Sequence, residues 1–337
     1  MDTVFCDWLS IYQDHFRDIP NLFAGRVFSV DQDGKIEWDT CKKLQHKGSF
    51  ETKLLISSDG NRVTLTGNVG RFNRSDNVFG YSVSDCVKIA NATLVELGLP
   101  PFEDKPPMAI NGKNGKDAGF QATGAVITRV DLTRNWATGS PGNASQVVRY
   151  MQGFKLGKFE PESYGCTGVS WGEGSKYVYN KLYDKAADYV RHLSKDNRHH
   201  DEKLYAFILT NGVLRQELTL KSRYLGQNNL WRMSQWVPGM EQKVLALYSD
   251  PYKESINVDQ FLEIDGRAGE LAVAWRDGAD LKKRLAKNTF YRYRRELLKY
   301  GIDIAVPSNV SRLKTRVEII TLSPLQRPSW YELPQVA

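Results

Sequence analysis

Cysteine is scarce in this sequence. Cys6, Cys41, Cys86 and Cys166 are spread over 337 residues, and no two form a CxxC pair. A zinc ribbon and a disulfide framework are therefore not expected, and a reducing compartment is. The five histidines, His15, His46, His192, His199 and His200, show no metal-ligand spacing, and the last two lie in KDNRHHDEK, which reads as a solvated loop. No apolar run approaches the roughly 18 residues of a membrane span. No charged start followed by an apolar stretch opens the chain, so no secretory signal is expected. A GxxxxGK[ST] loop is missing, so duplex unwinding would have to come from another protein. There is no internal repeat, no low-complexity tract and no RNP-type aromatic motif, which leaves an RNA-binding module without support.

The length allows one large domain or two ordinary ones, and 41% hydrophobic residues is a normal globular value. Lys and Arg number 46 against 39 Asp and Glu, for a net charge of +7. That balance favours a polyanionic partner without proving one; a plain basic soluble protein fits equally well.

The front of the chain reads as β-rich. GRVFSV and KIEW flank Asp33-Gly34, and KLLIS and RVTLTG flank Asp59-Gly60, both hairpin signals. SVSDCVKIANATLVELGLPP reads as an amphipathic helix capped by Ser84. AVITRVDLTRNW alternates as a strand, with Val126, Thr128, Val130 and Leu132 on one face and Ile127, Arg129, Asp131 and Thr133 on the other. NASQVVRYMQGF reads as a helix. CTGVSWG and SKYVYNKLYDK read as two strands, with a helix beginning near Tyr183 or Asp184, and VLRQELTLKSRYL as a further strand. Beyond residue 240, NVDQFLEI, GELAVAWRDG, ADLKKRLAK and NTFYRYRRELLKYGI read as helices, and RLKTRVEIITL as a last strand. The expected class is α+β: an antiparallel sheet with helices on one face, over residues 1–240, followed by a mainly helical part over 241–337 that binds DNA or a partner.

Three positions invite chemistry. Asp131 and Glu217 sit inside apolar strands, where a carboxylate is expensive to bury unless paired or bound to a cation. Tyr183 stands at a strand-to-helix transition between Lys181 and Lys185. Simple ion pairing accounts for either acid alone: Asp131 with Arg129 or Arg134, Glu217 with Arg215 or Lys221. Together they could hold a hard divalent ion, which would polarise a phosphodiester for attack by a tyrosine oxygen. A phenol of pKa about 10 needs such help at neutral pH.

An ordered set of blocks then becomes informative: GNVGRFNRSDNVFG, TRVDLTRNW, NASQVVRYMQ, TGVSWGEGSKYVYNKLYDK, VLRQELTLKSRYL and NTFYRYRRELLKYGI. In this order they resemble the gene-two-type replication initiators of filamentous bacteriophages, over most of residues 60–230 and a patch near 288–302. The resemblance implies an RRM-like rolling-circle nuclease core. It further implies a metal-dependent, site-specific nickase and strand-rejoining enzyme that starts rolling-circle replication through a covalent 5′-phosphotyrosine in the bacterial host cytoplasm. It implies Tyr183 as nucleophile, assisted by Lys181 and Lys185. Asp131 and Glu217 would hold a divalent ion, Mg2+ or alternatively Mn2+. The partners implied are double-stranded origin DNA and the displaced single strand, together with host helicase and polymerase. Arg71, Arg74, Arg129, Arg215, Arg223, Arg292, Arg294 and Arg295 are the expected DNA contacts. The His-hydrophobe-His metal strand common among rolling-circle nucleases is missing, which leaves a third ligand, Asp184 or Glu173, open. The competing reading is a non-enzymatic DNA-binding regulator of replication or transcription.

Overall fold

A computed structural model describes residues 4–110, 119–165, 167–196, 201–249, 256–258, 264, 266–300, 302–306 and 318–336. His199, His200, the lysines of NGKNGKDAG and Cys166 lie outside them. The centre of the fold is five antiparallel strands: β1 (Val4–Asp14), β2 (Val126–Ala137), β3 (Gly168–Trp171), β4 (Val178–Asp184) and β5 (Val213–Lys221). They lie side by side in the order β3, β4, β5, β2, β1. The Pro161–Tyr164 strand extends the sheet beyond β3. On the other side, Arg62–Gly67 pairs with β1 and Lys53–Asp59 with Arg62–Gly67. The two hairpin turns form at the glycines that permit positive φ, Gly34 (+80°) and Gly60 (+96°).

One face of this sheet is apolar. Leu9 and Ile11 of β1, Val130 and Leu132 of β2, and Leu218 and Leu220 of β5 bury against Val83, Cys86, Val87, Ala90 and Leu94 of helix α1 (Val83–Glu96). Helix α2 (Asn143–Met151) covers the same face further along, with Val147, Val148 and Met151 on Trp136, Leu182 and Leu214. The cap of α1 is Ser82 rather than Ser84: its Oγ accepts from Asp85 N at 3.1 Å and donates to the Asp85 carboxylate at 2.8 Å.

The opposite face carries the polar positions, and two bulges decide which. Cys6 pairs with Leu132 and Trp8 with Asp131, so Asp7 is the extra residue and points with Trp8 away from the apolar core. Ser10 pairs with Arg129 and Ile11 with Ile127. That second bulge reverses the expected alternation: Ile127 is buried with Val130 and Leu132, not beside Asp131. Helix α3 (Lys185–Asp196) and helix α4 (Glu202–Thr210) cover the far end of this polar face, where Leu204 and Ile208 pack on Val78, Phe79 and Val213.

The C-terminal part differs from its sequence reading in places. NVDQFLEI begins as a strand, Ile256–Val258, antiparallel to Glu318–Ile320; its residues 259–263 lie outside those described. Helices Gly266–Arg276, Leu281–Arg284 and Lys287–Leu297 have their own core of Leu271, Trp275, Leu281, Phe290 and Leu297. Residues 323–336 return to the sheet: Ser323 and Pro324 pair with Ala137 and Trp136, and Tyr331 packs on Phe79 at 5.0 Å between ring centres.

Candidate active site

Tyr183 is the penultimate residue of β4, not part of a helix. The helix begins two residues later because the Asp184 carboxylate accepts from Ala186 N and Ala187 N at 2.8 and 3.2 Å. Strand alternation puts Lys181 and Tyr183 on the polar face, and antiparallel register sets them against Glu217 and Arg215 of β5. Next along, Thr133 and Asn135 of β2 stand beside Glu217 and Arg215. Tyr183 and Glu217 are thus diagonal neighbours, and the Tyr183 hydroxyl donates to Glu217 Oε1 at 2.7 Å. Lys181 Nζ stands 4.0 Å from Glu217 Oε2. All three line a cleft of about 710 Å³, together with Asp7, Arg71, Asn77, Lys185 and Asp188.

Burial, reinforced by Glu217, pushes the Tyr183 phenol well above its ordinary value, and Arg215 opposes the shift. Glu217 is raised too, by burial first and then by the charge of Asp7. Its side chain is 17% exposed. Lys185, the first residue of α3, is 5% exposed, and its Nζ lies 5.9 Å from the centre of the Tyr183 ring. It donates to Asp188 at 3.0 Å, yet burial and then Arg215 outweigh that pairing and lower its pKa. Burial would raise Asp188, but Lys185, backed by His192 and Arg191, holds it at about 2.

The other expected residues divide. Asp131 faces the same way but is gripped by Arg129, whose Nε and Nη2 donate to its two oxygens at 2.8 and 2.6 Å. Arg129 also stacks 4.9 Å over Trp8. The ion-pair alternative for Asp131 is therefore what the fold adopts. Arg215 is fully buried: Nε donates to Asn135 at 3.0 Å, Nη2 donates to the Asn77 carbonyl, and Nη1 has no hydrogen-bond partner among the described residues. It has no surface to offer a DNA phosphate. Arg74 is 8% exposed and donates to the Gly70 and Phe79 carbonyls and to the Tyr331 hydroxyl. Arg223, Arg292 and Arg295 are exposed, whereas Arg294 forks onto Asp303 at 2.7 and 2.8 Å. Asp184 caps α3 and also lines the cleft, and Glu173 accepts from the Tyr164 hydroxyl at 2.6 Å.

Sequence reasoning missed Asp7 and Asn77. Asp7 lies in VFCDWLS, where no alternation announces it, because the bulge that aims it is created by pairing with β2. Among the described residues no group of three or more His, Cys, Asp or Glu side chains is arranged to hold a metal. Glu217, Asp7 and Asp184 are hard oxygen donors of the central strands that line the cleft, a donor type that suits Mg2+, which commonly takes one or two carboxylates and completes its shell with water and phosphate oxygens.

Residues 5–238 match the family model for the N-terminal part of the phage gene-two replication-associated protein, and residues 267–337 match the model for its C-terminal part. The chain belongs to the gene-two replication-associated protein family. The replication-associated protein of this type from Escherichia phage If1 is 30% identical over 322 residues, covering 83% of this chain and 97% of that protein. Its counterpart from Enterobacteria phage I2-2 is 25% identical over 331 residues, covering 92% of each. A rolling circle replication initiator protein from Geobacillus stearothermophilus aligns in structure over 73% of this chain and 85% of its own, at 11% identity and a TM-score of 0.31. The ordered motifs of the sequence thus led to the right family.

Proposed function

We propose that this chain initiates rolling-circle replication of a phage genome by nicking its origin with Tyr183. The observation that carries the reading is the 2.7 Å hydrogen bond from the Tyr183 hydroxyl to Glu217, within an open cleft, in a member of a replication-associated family. Glu217 takes the phenolic proton. The phenolate oxygen attacks the scissile phosphorus while the bond from phosphorus to the 3′ oxygen breaks. The 3′ oxygen leaves and takes a proton from solvent, and the 5′ phosphate stays on Tyr183. The free 3′ hydroxyl primes synthesis, and attack by a 3′ hydroxyl on the phosphotyrosine later reseals the strand. Arg215 offsets the negative charge that develops on the phenolate, from within the fold rather than from the DNA surface. Lys185 does the same from the ring face.

Glu217 and Asp7 are the residues proposed to hold Mg2+ or Mn2+, with Asp131 joining only if Arg129 releases it. Such an ion would supply Lewis-acid polarisation of the phosphate. Arg71, Arg223, Arg292 and Arg295 are proposed to contact DNA backbone. Partners are origin duplex and displaced strand, with a host helicase and polymerase in the bacterial cytoplasm.

The test is Tyr183→Phe on supercoiled origin DNA, with the DNA-linked peptide mapped by mass spectrometry. Loss of nicking and of the covalent adduct is expected. Adduct formation at the normal rate on another residue would overturn the assignment. A non-enzymatic regulator would instead bind origin DNA unchanged in chelator and never yield an adduct.

A further inference from the structure

The turn that precedes α1 reaches into the cleft through Asn77, a residue with no assigned role. Its side-chain nitrogen donates to Asp7 Oδ1 at 3.1 Å. Its side-chain oxygen accepts from Lys185 Nζ at 3.3 Å. Its main-chain carbonyl accepts from Arg215 Nη2. One residue therefore meets the bulge of β1, the first residue of α3 and the third residue of β5. A neutral amide suits this place, because it donates to a carboxylate and accepts from an ammonium without adding charge.

The turn itself is pinned on both sides. Asp76 Oδ1 accepts from Val78 N at 2.8 Å and from the Tyr331 hydroxyl at 2.6 Å. The Val78 carbonyl accepts from the buried side chain of Asn135. Asn77 is thus delivered to the cleft by a rigid support, whereas Asp7 and Lys185 stand on a bulge and at a helix start.

We propose that Asn77 is a positioning residue of the nicking reaction, fixing Asp7 and Lys185 relative to each other beside Tyr183 and Glu217. This rests on the nicking reading above. Asn77 does not touch the phosphate; it acts through Asp7 and Lys185. Small displacements of such groups cost up to about a hundredfold in rate.

The test uses the full chain and supercoiled origin DNA, with single-turnover adduct formation, duplex affinity and thermal melting measured in parallel. Asn77→Ala and Asn77→Asp both keep the carbonyl that holds Arg215. Asn77→Asp also keeps an acceptor for Lys185, but it loses the donor to Asp7 and sets a second negative charge against that carboxylate. Both are expected to form adduct about tenfold or more slowly, with DNA affinity within about twofold of wild type and melting little changed. The double variant Asn77→Ala with Asp7→Asn is expected to be no slower than the slower single variant, because the two residues act as one unit. Wild-type adduct rates in both single variants, losses that follow DNA affinity or melting, or fully multiplicative losses in the double variant would each overturn the proposal. Failure of the nicking reading is seen separately, as no Tyr183-linked adduct from the wild-type chain.

Discussion

Tyr183 and Glu217 meet diagonally across β4 and β5, the phenol donating to the carboxylate at 2.7 Å. That contact makes Glu217 the nearest proton acceptor for the nucleophile. Glu217→Gln keeps the shape and removes the basicity. Adduct formation is expected to fall by about 10²- to 10⁴-fold, the usual contribution of a positioned base. Duplex affinity, measured by fluorescence anisotropy, should stay near wild type. A variant that still cuts at the normal rate would remove Glu217 from the reaction.

The same contact sets the pH dependence. Burial and then Asp7 raise the pKa of Glu217 above the ordinary carboxylate value. Protonated Glu217 cannot accept the phenolic proton. The cleavage rate should therefore rise with pH through a transition above that of a free glutamate. Asp7→Asn removes a like charge, so Glu217 ionises at lower pH and the transition moves down in the normalised profile. An upward or absent shift in single-turnover profiles would count against this arrangement.

DNA contact divides the arginines in a measurable way. Arg292 and Arg295 are exposed on the Lys287–Leu297 helix, whereas Arg215 is sealed beneath the cleft. Replacing Arg292 or Arg295 with Ala should weaken duplex binding and reduce the salt slope of log affinity by about 1 for each phosphate no longer neutralised. Arg215→Met should leave the slope unchanged and slow adduct formation. Equal slopes for all three variants would mean that the Lys287–Leu297 helix does not touch the backbone.

Much of the sheet was legible because its signals are local. The Asp-Gly turns, the alternation of VLRQELTLK and the apolar stripe of α1 each specify an element within a few residues. Tyr183 and Glu217 could be singled out for the same reason: each is a reactive side chain at a legible position on a strand. What escaped depends on pairing between distant segments. The bulges at Asp7 and Thr128 exist only because β1 and β2 fall out of step, and they decide that Asp7 faces the cleft and Ile127 the core. The fates of Arg74 and Arg215 were likewise hidden, since an arginine destined for burial looks in sequence like one destined for phosphate. The Gly70 and Phe79 carbonyls that Arg74 meets are near in sequence, but its third acceptor, Tyr331, and the Asn77 carbonyl that holds Arg215 lie far away along the chain.

Lys185 and Asp188 allow a stability prediction with a definite sign. Asp188 is held at about 2 in the folded chain, chiefly by Lys185, against about 3.9 for a free aspartate. A carboxylate depressed on folding contributes stability that is complete above its unfolded value and lost as pH falls through its folded value. Asp188→Asn also leaves the Lys185 ammonium, 5% exposed, without its carboxylate partner. Breaking one side of a buried pair costs about 3 kcal/mol or more at neutral pH. The difference between wild type and Asp188→Asn, measured by urea unfolding, should be full near neutrality. It should begin to shrink below about pH 5 and be small near pH 2. A difference that stays constant over that range would mean that Asp188 titrates normally and does not stabilise Lys185 beneath the tyrosine ring.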